Sequence, residues 1–209
     1  MKTANKNGDT KTDKRSAMAA SPGERETISL GIPPSVVAES VECLNRTLAN
    51  VYVLLVKTKK CHWDVSGPQF MTLHKMLDEQ YVALDAFADM AAERVRMLGA
   101  FPVGTIAGFL QLTDLREQPT DIPTATEVVI TLLKDHETIV RTLRTGIKTV
   151  EDGDAGTADM LTEMLRKHEE FAWMLRAFVQ GEGVHAVSST QAALRPRSGN
   201  GNGNGNKSS

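Results

Sequence analysis

Two histidines and three acids in the first half of the chain have the types and spacing to hold a metal ion: His62, His74, Asp78, Asp89 and Glu93. If the stretch after Pro68 is helical, a rotation of ~100° per residue places His74, Asp78, Asp85, Asp89 and Glu93 on one polar stripe. Within it, His74 and Asp78 are i and i+4, and so are Asp89 and Glu93, so each pair can converge on one ion. His62 closes the preceding helical run, and a tight loop would bring it beside His74. Imidazole nitrogen and carboxylate oxygen together suit Fe(II), and also Zn(II) or Mn(II). Structural zinc usually prefers thiolates, which this cluster lacks. Carboxylates favour Fe(III) over Fe(II), and imidazoles ligate only when neutral, so binding is expected to weaken in acid. The plain alternative is a solvated stripe of charge.

The spacing also sets a limit. Asp78 and Asp89 are 11 residues apart, about 16 Å along a helix, whereas metal–ligand bonds are about 2.0–2.4 Å. One helix cannot close the shell. Either the halves are unrelated or the second comes from another copy. Two copies running antiparallel about an axis near Tyr81 to Asp85 would set His62, His74 and Asp78 of one opposite Asp89 and Glu93 of the other.

The elements that position these residues read as four long helices. Pro33 and Pro34 open a run with Val37, Val41, Leu44, Leu48 and Val51 at helical period, ending near Lys60. The second runs from Pro68 to Leu98 and stops at Gly99. Its apolar stripe, Leu73, Leu77, Leu84, Phe87, Ala88, Ala91, Val95 and Leu98, faces away from the acids. A third spans about Thr124 to Val150 and a fourth about Thr157 to Gln180, separated by Glu151-Asp152-Gly153-Asp154. Some 25 residues join the second to the third, too long for a turn, and Thr105 to Leu112 can form a short helix there. No stretch has strand period. The expected fold is all-α, a four-helix bundle with one long crossover.

The 209 residues carry a net charge of −2 with 24% charged and 41% apolar residues, which excludes a chain that binds nucleic acid by overall charge. The distribution is uneven: residues 1–20 carry +3, residues 181–209 carry +2, and the body carries −7. Residues 1–27 and 184–209 are poor in large apolar side chains and are expected as tails around a domain over 28–183. Lys2, Lys6, Lys11, Lys14 and Arg15 give the first tail the means to attract phosphate backbones; a merely solubilising tail is the alternative. No apolar run approaches a membrane span. With two cysteines and no visible secretory signal, the expected setting is the reducing cytoplasm. Cys43 and Cys61, some 27 Å apart on one helix, cannot bridge and read as buried thiols; a minor metal or redox role for Cys61 beside His62 is the alternative.

The segment His62-Trp63-Asp64-Val65-Ser66-Gly67, then Leu73-His74 and Asp78, resembles the first signature of the Dps family, the DNA-binding proteins from starved cells or mini-ferritins. Asp89, Ala92-Glu93-Arg94, Leu98-Gly99 and Pro102 resemble its second, and Thr157-Ala158-Asp159 and Trp173 add support. The resemblance covers about 36–180. It implies a ferritin-like bundle in a dodecameric shell around an iron cavity. The ferroxidase ligands it implies are His62, His74 and Asp78 of one subunit with Asp89 and Glu93 of its neighbour. It further implies mineral nucleation at Glu79 and radical quenching or plain packing at Trp63. Peroxide is implied as the preferred oxidant of Fe(II), and DNA binding is implied to follow lysine-bearing tails in some members only. Lys75 departs from the family, which often has an acid after the second histidine. Asp152, Asp154 and Asp159 are candidates for an acidic iron-entry pore, with helix capping as the alternative.

Three rivals follow. A conventional ferritin needs Glu-x-x-His motifs on helices, and Glu182-Gly183-Val184-His185 is the one instance. A DNA-compacting structural protein would carry a weak or zinc-occupied metal site. An interaction module would hold zinc at a dimer interface.

Overall fold

A computed structural model describes residues 28–117 and 124–181. The two tails, with their basic residues, and Gly199 to Asn206 lie outside the described residues. Five helices follow in order: α1 (Pro34–Asp64), α2 (Phe70–Met97), α3 (Ile106–Leu112), α4 (Ala125–Val150) and α5 (Ala155–Gly181). Among the described residues there are no strands, as the lack of a two-residue period predicts.

Local chemistry sets the boundaries. Pro34 opens α1, where a missing N–H costs nothing. Thr105 accepts from the Gly108 amide and starts α3. Thr124 and Glu127 form a reciprocal capping box at the start of α4. Asp154 starts α5 by accepting from the Thr157 amide at 3.0 Å. The first helix ends at Asp64 rather than near Lys60, so His62 lies in its last turn.

The helices form two antiparallel hairpins, α1 with α2 and α4 with α5, packed into one bundle. Cross-contacts fix their directions. Lys57 meets Asp135 and Cys43 meets Gly146, so α4 runs opposite to α1 and therefore parallel to α2. A chain leaving the end of α2 must travel the length of the bundle to begin α4. That is why the crossover is long. It runs down the outside of α1, where Phe109 stacks on Tyr52 at 4.4 Å between ring centroids. Arg46 pairs with Asp114, which also accepts from Asn50 and Thr142 and so ties the crossover to α1 and α4.

The core draws on every predicted apolar position of α2: Leu73, Leu77, Leu84, Phe87, Ala88, Ala91, Val95 and Leu98 are all buried. They meet Leu44, Leu48 and Leu54 of α1, Leu132, Ile139 and Leu143 of α4, and Leu161, Met164 and Leu175 of α5. Each such leucine contributes about 1.5–3 kcal/mol of burial. At Gly146 an added Cβ would collide with the Cys43 sulfur, so a larger residue there would force that side chain to move.

Candidate metal centre

The α1–α2 turn builds the centre. Gly67 adopts φ +93°, a conformation other residues resist, and lets α2 fold back along α1 within a few residues. The two histidines are thereby stacked, ring centroids 3.8 Å apart. Each ring is fixed by the other's backbone. His62 Nδ1 lies 3.0 Å from the His74 carbonyl, and His74 Nδ1 lies 3.0 Å from the His62 carbonyl. A carbonyl oxygen only accepts, so both Nδ1 atoms must carry the proton and donate. When the rings are neutral, both Nε2 atoms then keep their lone pairs. This is how a metal-binding histidine is oriented: its second nitrogen is engaged by a fixed acceptor.

Asp78, one turn beyond His74, brings a carboxylate oxygen to 4.0 Å from His62 Nε2. The His62 residue is 8% exposed, whereas the Asp78 side chain is 52% exposed. Tyr81 stands edge-on to His62 at 5.7 Å and carries the Lys59 ammonium over its ring at 3.3 Å. Phe70 leans on His74 at 4.9 Å. The result is two imidazoles and one carboxylate at a half-open surface.

Asp89 and Glu93 project from the far half of α2 and are exposed. They do not join the histidines within one chain. Among the described residues, no three His, Cys, Asp or Glu side chains gather closely enough to hold a metal alone. Glu79, beside Asp78, is exposed, as are Asp152 and Asp159.

Asp154 corrects the pore reading. It is 2% exposed. It caps α5, accepts from the Thr157 hydroxyl at 2.6 Å, and pairs with Arg94 at 2.6 Å. Burial opposes its ionisation, but the Thr157 hydrogen bonds and the Arg94 charge outweigh that and hold the carboxyl below its usual value. A carboxylate so engaged is not free to line a channel; the capping alternative is the observed one.

Neither thiol forms a disulfide. Cys61 is buried and Cys43 half-buried, and burial pushes each pKa up to about 11, which keeps the sulfur protonated. Trp63, by contrast, is 66% exposed.

Two buried polar pairs escape a sequence reading. Lys57 and Asp135 form an ion pair between α1 and α4, 5% and 9% exposed as residues, and Lys57 also donates to the Arg116 carbonyl at 2.8 Å. His136 and His168 face each other across α4 and α5. The available signal was position: His136 lies between Leu132 and Ile139 on the buried stripe, and His168 follows Leu161 and Leu165 on that of α5.

Fold and centre together define a ferritin-like helical protein whose nitrogen and oxygen donors suit iron and sit on the outside of the bundle. The ferritin-like domain family matches residues 41–182. An uncharacterized low temperature-induced protein of Nostoc sp. is 44% identical over 82% of this chain and 96% of its own. A DNA protection during starvation protein of Agrobacterium fabrum is 33% identical over 71% of this chain and 93% of its own. Among solved structures, Dps92 of Deinococcus radiodurans superposes with a TM-score of 0.68 and 32% identity, covering 70% of this chain and 88% of that one. The chain belongs to the Dps family, the mini-ferritins of the ferritin-like proteins.

Proposed function

We propose that this protein oxidises Fe(II) with hydrogen peroxide at sites shared between two subunits and stores the Fe(III) product as mineral inside a dodecameric shell. The observation that carries the reading is the His62–His74 pair: two rings locked in the tautomer that leaves Nε2 its lone pair, beside Asp78, with the remaining acids on the far half of the same helix. Such a half-site has a use only when completed. The surface next to it supports completion by a second copy. A groove of 390 Å³ between α1 and α3 is lined by Tyr52, Val56, Trp63, Ile106, Phe109 and Leu110. Val56, Trp63, Ile106 and Leu110 are exposed in the single chain. Apolar surface of this kind marks an interface.

In the completed site His62, His74 and Asp78 face Asp89 and Glu93 of a second copy. Carboxylates stabilise the ferric state and so favour the forward reaction. Two Fe(II) ions each release one electron, the peroxide O–O bond breaks, and two protons are taken up to give two waters. No hydroxyl radical is freed. Exposed acids such as Glu79, Asp152 and Asp159 are candidates to draw iron in or to seed mineral. The basic tail, Lys2 to Arg15, is the proposed DNA contact. The test is peroxide-driven loss of Fe(II) by the full-length protein together with particle mass. A particle of roughly 270 kDa, twelve chains of 22.7 kDa, with oxidation well above that of Asp78→Ala is expected. A stable monomer, or equal rates, rejects the proposal.

A further inference from the structure

His136 and His168 are both wholly buried, with their Nδ1 atoms 2.9 Å apart. Two bare lone pairs cannot approach so closely, so one Nδ1 carries a proton and donates to the other. In the neutral pair the donor ring therefore has a bare Nε2, and the acceptor ring carries its own proton on Nε2. Both Nε2 atoms are buried without a hydrogen-bond partner among the described residues. The pair joins the two helices of the second hairpin through a single shared proton.

Among the described residues, no free charge lies against the pair. From α2 it meets the ring of Phe87, and from α5 that of Phe171. Asp135, beside His136 on α4, is taken up by Lys57 of α1. Lys167 and Glu169, on either side of His168, pair with Glu170 and with Arg144. Among the described residues, the one group whose charge bears on His136 is His168 itself.

We propose that the His136–His168 pair is an acid-sensitive latch of the bundle. Neutral, it ties α4 to α5 through the shared Nδ1 proton; given a further proton, it sets an uncompensated cation in the core and α5 undocks from α4. Burial holds both rings below the ordinary histidine value of 6.5, His136 with the added charge of His168, and His168 down to about 3 by burial alone. The folded chain thus binds fewer protons than the unfolded one between those limits. Stability is full above about pH 6.5 and is lost as pH falls below it, roughly tenfold in the folding equilibrium per pH unit for each ring.

The experiment is equilibrium unfolding of the full-length, iron-free protein in guanidinium between about pH 7.5 and 5, compared with the His136→Leu/His168→Leu double variant at equal chain concentration. From about pH 6.5 to about pH 5 the parent is expected to lose progressively more than the variant, about thirtyfold over the first pH unit and approaching about a hundredfold per unit near pH 5. Equal pH slopes would overturn the latch. If the double variant does not fold, nitrogen-15 spectra of histidine-labelled, sedimented parent protein decide. The two rings, identified by coupling across their shared hydrogen bond, are expected to stay neutral at pH 5.5 in the folded state, one protonated on Nδ1 and one on Nε2. A charged ring there overturns the proposal.

Discussion

Among the described residues two pairs of histidines touch, and they differ in what occupies Nδ1. His62 and His74 each give that proton to a backbone carbonyl, so each neutral ring keeps a lone pair on Nε2, as the proposed metal site requires. His136 and His168 share one proton between their own Nδ1 atoms, so each ring's second nitrogen is sealed in the core. The same residue type yields the proposed half-site in one region and a closed joint in the other. Ligand-binding capacity lies in the acceptor that fixes the ring, and a histidine count would not separate the two.

The largest expected effect tests whether a second copy finishes the open pair. Trp63→Glu with Ile106→Glu should abolish assembly, seen by light scattering as a fall from roughly 270 kDa toward the 22.7 kDa chain. An unchanged particle would mean that another face joins the subunits. Next in size, Asp78→Ala and Glu93→Ala should each slow peroxide-driven iron oxidation at least tenfold, about 1.4 kcal/mol in barrier. When the two variant chains are co-assembled, about a quarter of the sites should regain all their ligands, because a mixed two-fold pair places both defects in one site and none in the other. Absence of any recovery would place the whole site in one chain. The closed pair is sharpened by His168→Leu alone, which strands His136 Nδ1 and should cost about 1–3 kcal/mol at pH 7.5. Replacing both histidines should leave stability nearer that of the parent, read as guanidinium midpoints. Smallest is the tail: removing residues 1–20 should weaken DNA retardation at low salt and lower the salt slope by about four for five lost cations. Full-length protein that never retards DNA discards that role.

The helices and their core faces were readable because every apolar position on the α2 stripe repeats with the period of the coil, and α1 and α4 open on the expected proline and threonine, whereas α2 begins at Phe70 and α5 at Ala155, two residues from where the sequence pointed. The stripe of His74, Asp78, Asp89 and Glu93 was readable for the same reason, as was the rule that one chain cannot close the shell. The tautomer lock was not, since it depends on a ring meeting a carbonyl of another helix. Asp154 illustrates a second limit. Next to Asp152 it looks like part of an acidic mouth, and only its contacts with Arg94 and Thr157 reveal a helix cap. Lys57 and Asp135 show a third. They are 78 residues apart, and each by itself reads as a solvated charge.

The reciprocal bonds at the α1–α2 turn make the link from Val65 to Gln69 a ruler for the whole receptor. Ring geometry there is inherited from the main chain, so in the proposed site the nitrogens would stand ready before an ion arrived and keep their bearing after it left. One residue inserted in that link would turn His74 by about 100° about its helix and sever both ties at once. The proposed turnover would then need no refolding, only traffic.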